Sequence, residues 1–277
     1  MKFLTESAAG KPLIAAATVL LARDRGDGLE VFLIARREEI DSFAGALVFP
    51  GGKVDAGDGD PGLRAHARGA EGLDAQAFVL RVAAIREAFE EAGILLARRM
   101  GETALLDAGR LAPIEARYRL ALQKGETTLS QMLDDCRLEL ALDCLVPFAH
   151  WITPATQPRI FDTHFFLAAA PADQMALHDG HESQDSLWLP PLAAVAEAEA
   201  GRRNVVFPTR MNLRRLGQWR TVAEALAGAA AAPVVTVQPR ISPHEQGRVL
   251  LIPAAAGYGV TRVLATKTGD FIVLETA

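Results

Sequence analysis

The order of β-rich and helical runs predicts an α/β (α+β) protein in which a mixed sheet is sandwiched between helices. Three observations carry this. Two β-rich runs, Leu13 to Leu21 and Leu29 to Ala35, flank a turn-forming stretch; a long helical run follows Asp74; and strand-like segments return at Cys144 to Ile152, Ile160 to Ala169 and Asp185 to Leu189.

The first two runs are joined by Arg23-Asp24-Arg25-Gly26-Asp27-Gly28, a composition that favours an antiparallel hairpin. Gly45 leads into a short strand, Ala46 to Phe49, where Pro50 closes the ladder. Gly51 and Gly52 then allow a backbone conformation that a side chain would obstruct, and let a glycine carbonyl face an ion. Asp74 is an N-cap candidate for a helix running to about Leu96, with Arg98 and Arg99 favouring its C-terminal end. Residues 101–137 read as a mostly helical insertion, with apolar residues at helical spacing in Ile114 to Leu122 and Leu129 to Leu133. Prolines 154 and 158 make the next segment a loop. An alanine-rich helix to Ala200, the segment Asn204 to Leu216 and a helix from Thr221 to Ala230 pack round the sheet. From Pro233 the chain turns β-rich again, in Val234 to Val237, Arg248 to Ile252, Val260 to Ala265 and Phe271 to Glu275.

The chemistry concentrates in Arg86-Glu87-Ala88-Phe89-Glu90-Glu91-Ala92-Gly93-Ile94. At about 100° of rotation per residue, Glu87 and Glu91 stand one turn apart on one face and Glu90 flanks them. At roughly 5 Å and an effective dielectric near 20, each like-charged pair repels by about 3 kcal/mol, and a hard divalent cation with oxygen ligands reverses that cost. A solvated acidic face, with Arg81, Arg86 and Arg98 as partners, is the plainer alternative.

The segment and the upstream Phe49-Pro50-Gly51-Gly52 turn resemble the Nudix box, G-x5-E-x7-R-E-U-x-E-E-x-G-U with U aliphatic, and match every fixed position of its second half. The first half departs. Six residues beyond Gly52 lies Asp58 where the pattern has Glu, and the next count expects Arg at the position of His66; the Arg arrives only at Arg86. Counting back from Arg86 lands on Phe78 instead, so no residue is assigned the role of the first Glu. Residues 57–76, rich in Gly, Ala and Asp, thus read as an insertion inside the box. That feature, with Trp151-Ile-Thr-Pro and Pro158-Arg159-Ile-Phe-Asp-Thr-His-Phe-Phe166, resembles the subgroup containing the peroxisomal CoA diphosphatases of animals and their bacterial relatives.

The resemblance implies a Nudix α/β/α sandwich over residues 1–232, with insertions at 57–76 and 101–137 beside the cleft, followed by a C-terminal β extension at 233–277 that either caps the sheet or meets a second subunit. It also implies a pyrophosphohydrolase. Glu87, Glu90 and Glu91, helped by the Gly51 or Gly52 carbonyl, would hold Mg²⁺ or Mn²⁺, and Arg86 would orient a catalytic Glu. The general base would be Glu87 or Glu182, the latter in a loop before the strand that bears Trp188. His178 and His181 could pair on a metal, but loop histidines at that spacing are usually only exposed. The implied substrate is CoA or an acyl-CoA, cleaved to 3′,5′-ADP and 4′-phosphopantetheine. Arg36 or Arg37, with Phe49 and Gly51, partly match the upstream CoA signature, although Asp41 stands where a second Arg would be. Arg210, Arg214 and Arg215 are further phosphate candidates against a default of solvated helix arginines. ADP-ribose, NADH or a nucleotide sugar as substrate, and a non-catalytic nucleotide sensor, stay open as alternatives.

Composition sets outer bounds. The 277 residues carry a net charge of −5 and a pI near 5.7, which argues against a nucleic-acid-coating surface. Cys136 and Cys144 form neither a disulfide framework nor a zinc signature. The apolar run Pro12 to Ala22 is too short for a bilayer, so no membrane partner and a cytoplasmic location are expected. The family resemblance is compatible with a homodimer.

Overall fold

A computed structural model describes residues 10–26, 28–36, 45–174, 176 and 183–277, the side chains of Arg36, Ser183 and Gln184 excepted. The chain runs β1 (Leu13–Arg25), β2 (Gly28–Arg36), β3 (Ala46–Val48), β4 (Gly51–Lys53), β5 (Ala67–Arg68), α1 (Ala75–Ala92), β6 (Ala97–Arg99), α2 (Ala108–Gln123), α3 (Leu129–Cys136), β7 (Leu138–Ala141), β8 (Val146–Ile152) and β9 (Ile160–Ala169). It continues through β10 (Ser183–Leu189), α4 (Pro191–Glu199), β11 (Asn204–Val205), α5 (Phe207–Leu216), α6 (Val222–Ala231), β12 (Thr236–Val237), β13 (Arg240–His244), β14 (Gly247–Leu251), β15 (Val260–Thr266) and β16 (Phe271–Thr276).

The main sheet is mixed, in the order β11-β3-β2-β1-β9-β8-β12, with β10 added to β2 and β4 to β1. Its long central strand does two jobs. One half of β1 forms the expected hairpin with β2, Ala22 opposite Val31, while Ala16 to Thr18 pair with the glycine turn of β4. Along its other edge β1 runs parallel to β9, and β8 returns antiparallel beside β9.

Strand alternation sends Ala17, Val19, Leu21, Phe32 and Ile34 to one face, where α1 packs with Val82, Ile85 and Phe89. Leu20, Ala22, Leu33 and Leu47 face the other way, toward Ala194 of α4, Leu213 of α5 and Ala225 of α6. The result is the expected sandwich. A small sheet, β5-β7-β6, joins the two insertions at the edge of the α1 layer, where His66 bonds the Leu138 carbonyl and Asp134 of α3.

Two expectations are corrected. Helix α1 starts on the Asp74 cap but stops at Ala92, because Gly93 takes the left-handed conformation at φ 68° and returns its N–H to the Ala88 and Phe89 carbonyls. Arg98 and Arg99 therefore lie in β6, and Arg98 forms a forked pair with Asp143. In the C-terminal part the structure adds a strand to those the sequence predicts, β13, whose pattern Pro243 interrupts; it pairs with β14 at the edge of a separate sheet, β13-β14-β15-β16. That sheet packs on the α5 side: Leu250, Tyr258 and Val263 share a core with Phe148, Trp151 and Phe207, and the buried Tyr258 hydroxyl links Trp151 to Asn212. Among the described residues no helix is long and apolar enough to cross a membrane.

Candidate active site

Pairing of β4 with β1 lays the glycine turn directly beneath α1. The Val19 N–H donates to the Pro50 carbonyl and the Val54 N–H to the Ala15 carbonyl, so the turn is tied at both ends. Glycine is required here for contact rather than for a special φ. A Cβ on Gly51 would strike Thr18 Oγ1 and lie 2.6 Å from the Ala17 carbonyl oxygen, and one on Gly52 would overlap the Glu87 carboxylate.

The carboxylates of α1 use this closeness. The Gly51 N–H donates to Glu91 Oε2 at 2.7 Å, and Glu87 lies over Gly52. Glu87 and Glu91 are 9% and 7% exposed, which is incompatible with the solvated-face alternative. Glu90 is half-buried beside them.

Arg86 holds the group together through all five of its N–H donors. Its Nε donates to Asp58 Oδ1 at 2.8 Å and one Nη to Asp58 Oδ2 at 3.0 Å; that Nη also donates to the Lys53 carbonyl at 2.9 Å. The other Nη donates to Glu87 at 2.9 Å and Glu90 at 3.2 Å. Asp58, 1% exposed, also accepts the Asp55 N–H in a one-turn 3₁₀ helix, Ala56–Gly59, which fixes its rotamer. Asp58 thus stands where the box has its first Glu, and the extra chain follows it. The sequence leaves that position unassigned and starts the insertion at residue 57; with Asp58 on Arg86 the extra chain begins after Asp58, and the backward count to Phe78 fails because it crosses that extra chain.

Electrostatics set this cluster apart from ordinary packing. Burial lowers the Arg86 guanidinium's proton affinity, but the Asp58 hydrogen bonds and the charges of Glu87, Asp58 and Glu90 outweigh it, so its pKa is raised. Burial pushes the Glu87 carboxyl up to about 7 despite Arg86, and raises Glu90 as well. One guanidinium therefore leaves the carboxylates short of positive charge. An all-oxygen donor set with unmet negative charge is the chemistry of a hard divalent cation such as Mg²⁺ or Mn²⁺.

The insertion 101–137 touches the same helix. Arg119 and Gln123 of α2 both donate to the Glu90 carbonyl at 2.9 Å, placing a cation and an amide at the C-terminal end of α1.

Other candidates fall elsewhere. Phe49, expected beside substrate, is 2% exposed in the core on the opposite face of the sheet. Arg210 and Arg215 are buried over the rings of Phe271 and Phe148 and are packing residues rather than solvated ones, while Arg214 pairs with Glu199 at the surface. Arg36 ends β2, but its side chain, together with Arg37, Asp41, His178, His181 and Glu182, lies outside the described residues.

A family model for the NUDT19 Nudix domain matches residues 61–216, more than half of the chain. The chain belongs to the Nudix family, of the NUDT19 type. Among solved structures, this Nudix chain is similar to a Nudix hydrolase from Alicyclobacillus acidocaldarius, with a TM-score of 0.67 and 29% identity over 80% of this chain and 98% of that one. Among curated proteins it is similar to an acyl-coenzyme A diphosphatase, NUDT19, of Xenopus laevis, 23% identical over 237 residues, and to a nudix protein of Caenorhabditis elegans, 26% identical over 188. Those alignments cover 70% and 68% of this chain but only 61% and 56% of the two relatives. Nudix hydrolases generally use divalent metal ions.

Proposed function

We propose that this Nudix chain is a divalent-metal-dependent pyrophosphohydrolase acting on the diphosphate of CoA or an acyl-CoA. The observation that carries the reading is the buried assembly of Glu87, Glu90 and Glu91 round Arg86, pressed against the Gly51-Gly52 turn. Support for the substrate class comes from the similarity to the Xenopus acyl-CoA diphosphatase.

In this reading Glu87, Glu90 and Glu91, with the Gly52 carbonyl, hold Mg²⁺ or Mn²⁺. The ion, when bound, neutralises charge on the non-bridging phosphate oxygens and acidifies water. Arg86 is a positioning residue: its fork to Asp58 fixes the guanidinium, and the remaining Nη fixes Glu87 and Glu90. Attack of a water oxygen on phosphorus forms one P–O bond and breaks the bond to the bridging oxygen, which departs with the other phosphate. The water's proton goes to a carboxylate. We infer that Glu87, buried within the cluster, takes that proton; Glu182, the other candidate, lies outside the described residues. Arg36 and Arg37, at and after the end of β2, are the proposed contacts for the 3′-phosphate of CoA.

Incubating the chain with CoA, acyl-CoA, ADP-ribose, NADH and nucleotide sugars, with and without Mg²⁺ or Mn²⁺, tests this. Metal-dependent release of 3′,5′-ADP from CoA is the expected result. Turnover of the other conjugates but not of CoA rejects the substrate class, and no turnover of any rejects the enzyme.

A further inference from the structure

A second cluster of ligating groups lies on the same face of the sheet, on β8 and β9. His150 stands directly across from His164 in the antiparallel ladder, and Asp162 precedes His164 by two residues, so all three side chains share a face. Their rings and carboxylate are in contact. The imidazoles stack with centroids 4.0 Å apart at 17°, His150 Nε2 bonds Asp162 Oδ1, and His164 Nε2 lies 3.7 Å from the same oxygen. One ligand atom from each residue falls within 4.8 Å of the others. Donors round a tetrahedral ion with bonds of 2.0–2.1 Å sit about 3.3 Å apart, so an ion would displace the proton of the His150–Asp162 hydrogen bond and part that pair slightly while drawing His164 closer.

We propose that His150, Asp162 and His164 bind a borderline first-row divalent ion, of which Zn²⁺ is the reference, at a site separate from the glutamates.

Three observations support a ligand here rather than simple packing. His164 Nε2 is buried and has no hydrogen-bond partner among the described residues. His150 is held from behind: its Nδ1 contacts Thr236 Oγ1 of β12 at 2.8 Å, the arrangement by which a metal-ligating imidazole is oriented through its other nitrogen. Asp162 is 3% exposed yet faces two imidazoles, while the His164 side chain keeps 26% exposure and leaves a path inward. Two nitrogens and one carboxylate, with coordination positions left open, suit Zn²⁺, Co²⁺ or Fe²⁺ and not Mg²⁺. The register places His164 beside Ala17 and Ala17 beside Gly52, so the two clusters sit two strands, roughly 10 Å, apart.

The full chain, stripped with chelator, is titrated with Co²⁺ as an optical probe and then with Zn²⁺ as competitor, in wild type, Glu91→Gln, His164→Ala and His164→Cys. Wild type and Glu91→Gln should give the same visible band, bleached by one equivalent of Zn²⁺, and Zn²⁺ should raise Tm by several degrees. His164→Ala should weaken uptake about 100-fold or more. His164→Cys should restore it, with a new thiolate-to-cobalt charge-transfer band. Equal affinity in His164→Ala and wild type, a band lost in Glu91→Gln but kept in His164→Ala, or no uptake by any form overturns the assignment.

Discussion

The cluster round Arg86 and the cluster on β8 and β9 share a face of the sheet, yet they are built of different donors. The first offers only oxygens, from a helix and a glycine turn, with an arginine fork as its frame. The second offers two imidazoles and one carboxylate from neighbouring strands, steadied by a threonine hydroxyl. Oxygen-only sets hold hard ions that keep their waters, whereas nitrogen-bearing sets hold borderline ions more tightly. One fold can therefore carry two ions of different kinds a short distance apart, each selected by donor chemistry.

The largest expected effect removes the frame of the first cluster. Asp58→Ala removes the forked partner of the buried Arg86 while Glu87 and Glu90 stay on it, and should cost about 3 kcal/mol in denaturant unfolding, with hydrolysis falling too. Stability within about 1 kcal/mol of wild type would mean that the fork is not structural. Glu91→Gln comes next: Mg²⁺-dependent hydrolysis should fall more than about 100-fold while Co²⁺ uptake at the histidines is unchanged. If one substitution abolishes both, the two clusters are not independent.

The glycine turn allows a finer separation. Gly51→Ala presses a methyl on the β1 backbone and should destabilise the fold by about 1–3 kcal/mol. Gly52→Ala presses first on the Glu87 carboxylate, a side-chain end rather than backbone, so it should cost less Tm than Gly51→Ala and lower kcat more. Matching losses of stability in both variants would contradict that division.

A further effect is a pH dependence of the metal-free chain. Burial raises Glu87 in the fold from 4.5 to about 7, so between those values the native state binds the extra proton. The stability this contributes is fully present below about pH 4.5 and is lost as pH rises through 7. His164 runs the other way, because burial and then His150 hold it near 4, so its contribution grows as pH rises from 4 to 6.5. The wild-type Tm curve therefore mixes opposing slopes, and the comparison with Glu87→Gln isolates one. Relative to that variant, wild type should lose Tm from pH 5 to 8, and saturating Mg²⁺ should reverse the loss; a flat difference contradicts the burial argument.

Much of the sandwich was legible because its elements carry local signals. The β1–β2 hairpin, the Asp74 cap and the helices of the 101–137 insertion rest on turn composition, capping and periodicity that need no distant partner. Gly93 is the ordinary stop that ends α1, whereas Arg98 and Arg99 suit a helix end several residues further on and belong to a strand. Asp58 was harder. Its role depends on a 3₁₀ turn aiming a short acid at an arginine far along the chain, and an insertion between the two defeats counting from one end. The histidine cluster was invisible for a similar reason: His150 and His164 meet only through strand pairing and the register irregularity between Pro147 and Ala149. Phe49 misled because alternation sends neighbours of the turn to opposite faces.

The central claim is that the carboxylates of α1, framed by Arg86, work with a hard divalent ion to hydrolyse a diphosphate. Quantifying 3′,5′-ADP released from CoA by wild type and Glu91→Gln, over a Mg²⁺ titration, tests it most directly. Wild type should give saturable, Mg²⁺-dependent release and the variant almost none at any Mg²⁺ concentration. Release by both at equal rates would contradict it.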